Sequence, residues 1–162
     1  MVAAVCGWHQ HHERAANEIH RRLRRDEPLI VAGPALVEAY AVLTRLPPPH
    51  RVSAPDALAV LLGSFVDAGR VVALDGRSYV SLLRRAPAED VSGGRTYDAV
   101  IAACALSARA SALLTFNASH FRPYESQGLA VVIPGEAPAQ ADAGRSTGPR
   151  AERTRVSADR RG

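Results

Sequence analysis

Apolar positions over residues 1–134 alternate between short continuous runs and helical stripes. From His11 to Arg25, Ala15, Ala16, Ile19 and Leu23 recur on one side with arginines on the other, which predicts an amphipathic helix. Leu29–Ala32 follows Pro28 as a short apolar run of strand length. Pro34 then opens a helix through Leu46, since proline is tolerated in the first turn, and Pro47-Pro48-Pro49 ends it. Pro55–Ala68 carries Ala57, Leu58, Leu61, Leu62 and Phe65 at helical spacing. Val71–Leu74 predicts a strand and Ser78–Arg85 a short helix. Gly93-Gly94 breaks the chain before a helix from Thr96 to about Arg109, and Ala112–Phe116 and Leu129–Ile133 predict two more strands. Met1–Val5, ahead of the first helix, is barely long enough for an opening strand. Short apolar strands alternating with helices predict an α/β domain, a parallel sheet flanked by helices on both faces.

The pattern stops at Pro134-Gly135. Residues 135–162 hold no Leu, Ile, Phe, Tyr or Trp and a single Val, too little apolar surface to offset the entropy of ordering them. The expected organisation is one domain over 1–134 and a disordered tail over 135–162. The net charge of +4 is shared, with 6 Arg against 4 acidic residues in the tail and 14 against 12 in the domain, so there is no strongly basic domain to argue for nucleic acid. All 20 basic residues are Arg. Without lysine there is no Schiff-base amine and no phosphate-loop lysine, which excludes pyridoxal enzymes and Walker-type nucleotide hydrolases. Cys6 and Cys104 are far apart with no CxxC, which fits a reducing compartment, and Cys104 reads as a small core residue. The longest stretches free of Asp, Glu and Arg are 12 residues, Met1–His12 and Ala110–Phe121, against the roughly 20 a membrane span needs. With no basic segment ahead of the short apolar start, a cytoplasmic location is expected.

Two carboxylates stand alone in apolar surroundings. Glu38 is the only charge between Pro34 and Thr44, and Asp98 the only one between Thr96 and Ala108. Asp98 also suits the first turn of a helix capped by Thr96, and Glu38 suits a helix surface. Both helices nevertheless follow strands or strand-end loops, where sites form in open α/β sheets. Carboxylates converging there without lysine repel one another, and a hard cation such as Mg²⁺ or Mn²⁺ relieves that repulsion. Asn117, after the strand Ala112–Phe116, offers an amide oxygen for the same purpose.

The run GGRTYDAVIAACAL, then LLTFN followed by His120-Phe121, then VVIPG, resembles the C-terminal half of a PIN domain of the VapC toxin type. PALVEAYAVLTRLP resembles that family's glutamate-bearing helix, and VAAVCGWHQHHERA the stretch after its first strand. The resemblance spans most of residues 2–135. It implies a metal-dependent endoribonuclease, the toxin of a VapBC-type toxin–antitoxin system, with Mg²⁺ or Mn²⁺ as cofactor, single-stranded or looped RNA as substrate, a VapB-like antitoxin as partner, and a homodimer. By position it makes Glu38 and Asp98 the metal ligands, Asn117 the fourth site residue and Thr115 the hydroxyl two residues before it. Arg95 and Arg45 are candidate contacts to RNA phosphate, and His120 is a candidate contact to substrate. A zinc reading of His9, His11 and His12 lacks further ligands nearby, and Trp8 reads as a core or dimer-contact residue rather than a stacking platform.

The family's first strand ends in an aspartate, and this sequence has no acidic residue before Glu13. The match begins mid-motif at residue 2, which leads to the expectation that the native product starts upstream of Met1. The alternative is a non-catalytic or decayed PIN-like protein that binds RNA or an antitoxin without cleaving. Loss of that strand is expected to deprive its neighbours of backbone partners.

Overall fold

The computed structural model describes residues 1–136. Of the expected tail only Gly135 and Glu136 are among them, and the remainder lies outside the described residues. Arg14 reaches this end of the domain, donating from Nε to the Pro134 carbonyl at 2.8 Å, with its guanidinium 3.6 Å from the Glu136 carboxylate.

The element order is α1 (Val2–Val5), α2 (His12–Leu23), β1 (Leu29–Ala32), α3 (Gly33–Arg45), α4 (Ala54–Leu61) running into a π turn (Leu62–Val66), β2 (Gly69–Val72), α5 (Gly76–Arg85), α6 (Arg95–Ser107), β3 (Ala112–Leu114), α7 (Ala118–Phe121) with a 3-10 turn (Arg122–Gln127), and β4 (Ala130–Val132). Local chemistry sets several of these boundaries. Ser53 caps α4 by accepting from the Asp56 amide, and Asp75 caps α5 by accepting from the Ser78 amide at 2.7 Å. Proline within the first two positions opens α3 and α4.

The α/β character and the parallel strands are as expected, but the strands form two pairs rather than one continuous sheet. β1 pairs with β2 in parallel, Leu29 opposite Gly69 through Ala32 opposite Val72. β3 pairs with β4 in parallel, Ala112 opposite Ala130 through Leu114 opposite Val132. Between the pairs lies a cavity of about 490 Å³ walled by every residue of β1 and β3, with Ile19, Phe65, Ile101 and Met1 around it. No strand occupies that space among the described residues, so the inner edges of β1 and β3 have no ladder partner there.

Three further boundaries differ from expectation. Met1–Val5 forms a helical turn, with the Cys6 amide donating to the Val2 carbonyl at 3.1 Å, because Ala3 and Cys6 pack inward against α2 and α3. β2 starts at Gly69 and ends at Val72, not Leu74. Gly69 is required there: a Cβ would lie 2.7 Å from the Phe65 carbonyl oxygen and 3.0 Å from Leu29. Gly94, not Thr96, is the N-cap of α6, which begins one residue earlier than its pattern implied.

Helix α6 joins the two strand pairs. Val31, Ala39, Leu43, Ala57, Leu61 and Phe65 make one core around β1, α3 and α4. Ala99, Val100 and Cys104 of α6 pack with Leu82 and reach Ala32 of β1. Ala102, on another side of the same helix, packs with Leu113, Phe121 and Leu129 around β3. Cys104 is a buried free thiol, as expected, and burial pushes its pKa up.

Glu18 of α2 is the buried acidic residue of the described domain. It accepts from Arg21 (2.6 and 2.9 Å) and Arg22 (2.7 Å), and these charge-assisted bonds hold its carboxyl below the usual range against the opposing effect of burial. A depressed folded-state pKa contributes stability that is present above the unfolded value, near 4.3, and lost as pH falls through the folded value. The stability gap between the wild type and Glu18→Gln, measured by urea unfolding, should therefore narrow as the pH is lowered below about 4. Leu43 is 1% exposed at the centre of the first core. Leu43→Ala should cost about 2.7–5 kcal/mol in the same measurement.

Candidate active site

Three side chains from two segments meet at the start of α6. Asp98 lies in the first turn, where the helix dipole favours a carboxylate, and its side chain is 24% exposed. Its Oδ2 is 2.8 Å from Nδ1 of His120 on α7. Nδ2 of Asn117 is 2.7 Å from the same ring nitrogen. One nitrogen cannot serve both partners in the same state. Protonated, Nδ1 donates to Asp98; bare, it accepts from the Asn117 amide.

The end of β3 fixes this corner. The Thr115 amide donates to the Val132 carbonyl at 3.0 Å, extending the pairing with β4 past Leu114. Thr115 Oγ1 then accepts from the Asn117 amide at 3.0 Å, which turns the chain toward α7. Asn117 Oδ1 accepts from the Ser119 hydroxyl at 3.3 Å. Thr115 is thus tied to Asn117, and His120 Nδ1 lies between Asn117 and Asp98, bonding one of them at a time.

Glu38 stands apart from that network. It is exposed on α3, which packs against α6. Its carboxylate acts on the buried amino group of Met1, raising a pKa that burial pushes down more strongly. Arg95 donates from Nη1 to the Asp90 carbonyl at 3.2 Å and lies 3.9 Å from the Asp90 carboxylate, so its guanidinium is engaged with the preceding loop. Arg45 ends α3 in an exposed position, seven residues and so about 10 Å along the axis from Glu38. Of the three candidate substrate contacts, only His120 joins the Asp98–Asn117 cluster.

Hard oxygen donors make up the available set: the Glu38 carboxylate, Oδ1 of Asp98 and Oδ1 of Asn117. Their chemistry suits a hard divalent cation. No three His, Cys, Asp or Glu side chains gather into a metal-binding group among the described residues. A cation at this site would therefore draw on no more than two protein carboxylates, as Mg²⁺ commonly does when water and substrate phosphates complete its shell.

His120, a candidate substrate contact, has its Nδ1 within hydrogen-bond distance of both Asp98 and Asn117. Trp8 is 49% exposed and so is not a core residue. It packs in a row of rings that ends at Phe116, between the candidate residues Thr115 and Asn117. The Trp-His-Gln-His-His run was the one signal for this, and ring stacking between distant segments is invisible in a linear pattern.

The PIN domain profile matches residues 1–125. Ribonuclease VapC40 of Mycobacterium tuberculosis is 38% identical over 125 residues, covering 77% of this chain and 87% of that protein. Ribonuclease VapC27 of the same species is 34% identical over 131 residues, covering 81% and 82%. No solved structure matches the chain. With the profile extending from Met1 across Glu38, Asp98, Asn117 and His120, the chain belongs to the PIN-domain family.

Proposed function

We propose that this chain is the endoribonuclease toxin of a VapBC-type toxin–antitoxin system, cleaving RNA phosphodiesters with Mg²⁺ or Mn²⁺. The observation that carries the reading is the meeting of Asp98, Asn117 and His120 at one corner of a PIN domain whose relatives are ribonucleases. The partners are RNA and a VapB-like antitoxin, and the working form is a cytoplasmic homodimer. No helix of the described residues is long and apolar enough to cross a membrane. The functional domain is residues 1–134, with 135–162 as an appended tail.

Asp98 and Glu38 would hold the cation, with the Asn117 amide oxygen as a further ligand. Such a cation would supply Lewis-acid polarisation of the scissile phosphate and a more acidic water. Thr115 is a positioning residue that acts through the Asn117 amide. His120 orients the Asp98 carboxylate through Oδ2 and leaves Oδ1 for ligation. Arg45 and Arg95 supply long-range positive charge that attracts the RNA backbone.

A second reading, a PIN-like protein that binds without cleaving, is favoured by there being no group of three His, Cys, Asp or Glu side chains that could hold a metal among the described residues. Asp98→Ala separates the two. It removes a helix-dipole contact worth about 0.3–1 kcal/mol, so the fold should survive. Cleavage of single-stranded RNA in Mg²⁺ or Mn²⁺ should fall by about 100-fold or more. Unchanged cleavage would show that the nuclease centre lies elsewhere. Binding of RNA by the wild type with no cleavage in either metal would establish the second reading.

A further inference from the structure

A row of aromatic rings leads away from the candidate site. The Phe116 ring is stacked on that of His11, with centroids 4.3 Å apart and planes 16° from parallel. The other neighbours are tilted rather than stacked: His11 and His9 are 5.6 Å apart at 47°, His9 and Trp8 5.9 Å at 44°, and Trp8 and His50 4.2 Å at 31°. The Arg14 guanidinium lies over Phe116 at 5.5 Å from the ring centre. The rings come from three distant segments: the loop between α1 and α2, the turn after α3 and the end of β3.

This row is not ordinary core. Trp8 is 49% exposed and His50 is also exposed, while His9, His11 and Phe116 are only partly buried. A half-exposed tryptophan held against a histidine presents a flat apolar face to water, which is unusual away from an interaction surface. No acidic side chain belongs to the row; at its inner end lies the Arg14 guanidinium, which is also 3.6 Å from the exposed Glu136 carboxylate. Half-exposed ring faces at successive positions, with a guanidinium at one end, suit the bases and backbone of an unpaired nucleic-acid strand. A duplex offers no free base faces to such a row.

We propose that His50, Trp8, His9, His11 and Phe116 form a stacking path for the bases of single-stranded RNA, delivering the strand to Asn117 and Asp98. The occupant follows from continuity. Phe116 is the residue between Thr115 and Asn117, so a base stacked at the inner end of the row sets its phosphate beside the candidate centre. The inference rests on the ribonuclease reading for its substrate, but it concerns binding and is testable without cleavage.

Trp8 is the only tryptophan of the chain, so its fluorescence reports on the row alone. The protein is titrated in EDTA with a short single-stranded RNA oligonucleotide and, separately, with its duplex. The single strand should quench Trp8 and the duplex should not. Trp8→Ala and His11→Ala should each weaken single-strand binding, read by anisotropy of a labelled oligonucleotide, by about tenfold. Trp8→Phe should restore most of the affinity, a rescue that a loss of general charge or folding would not show. The proposal is overturned if RNA binds without quenching Trp8, if Trp8→Ala leaves its affinity unchanged, or if no RNA binds. It is equally overturned if raising the protein concentration alone buries Trp8, which would make the row an interface between copies of the chain. Quenching that persists in Asp98→Ala, with cleavage unaffected by that substitution, would uphold the stacking path while refuting the catalytic assignment.

Discussion

The packing of α6 against both strand pairs is the constraint on which the domain depends. β1 and β3 face one another across a cavity and share no hydrogen bonds, so the backbone ladder that normally unifies an α/β sheet does not connect the halves. Side-chain contacts from one helix do so instead. Ala99, Ala102 and Cys104 are small enough to let α6 approach closely, and Ala102 and Cys104 are fully buried. The alanine-rich, nearly uncharged character of this helix follows from having apolar neighbours on more than one side.

The same constraint places the chemistry. Because α6 is held between the halves, its first turn sits at the end of β3, and Asp98 comes within hydrogen-bond reach of a histidine 22 positions later in the chain. The exit of β3 is fixed in turn by one added backbone bond, Thr115 to Val132, and by the Thr115 hydroxyl. Phe116 projects between these anchored residues and carries the ring row outward. Glu38 is exposed on α3, which packs against α6. The site is therefore an outcome of helix packing at one end of the domain, which is why separate parts of the sequence supply it.

What could be read from the sequence follows from which forces are local. β1 was legible to the residue because Pro28 and Pro34 bracket an apolar run, and α3 was legible because proline marks both of its ends. Glu38 and Asp98 were visible as lone charges on apolar helices. The short opening segment was not legible, since four apolar residues fit a strand or a turn of helix equally, and inward packing of Ala3 and Cys6 decided for helix. The limits of β2 depended on the fit of Gly69 against Phe65 and Leu29, a tertiary contact with no local mark. The roles of His120 and Trp8 were hidden because each rests on partners distant in sequence.

The central claim is that Asp98, Glu38 and Asn117 form one divalent-cation site at the head of α6. Paramagnetic Mn²⁺ titrated into the isotopically labelled chain tests it most directly, because it broadens amide signals around the ion whether or not catalysis occurs. The account predicts selective broadening at Glu38, Asp98 and Asn117, abolished in Asp98→Ala. Broadening centred on another acidic stretch, such as Glu89-Asp90, with these three unaffected, would contradict it.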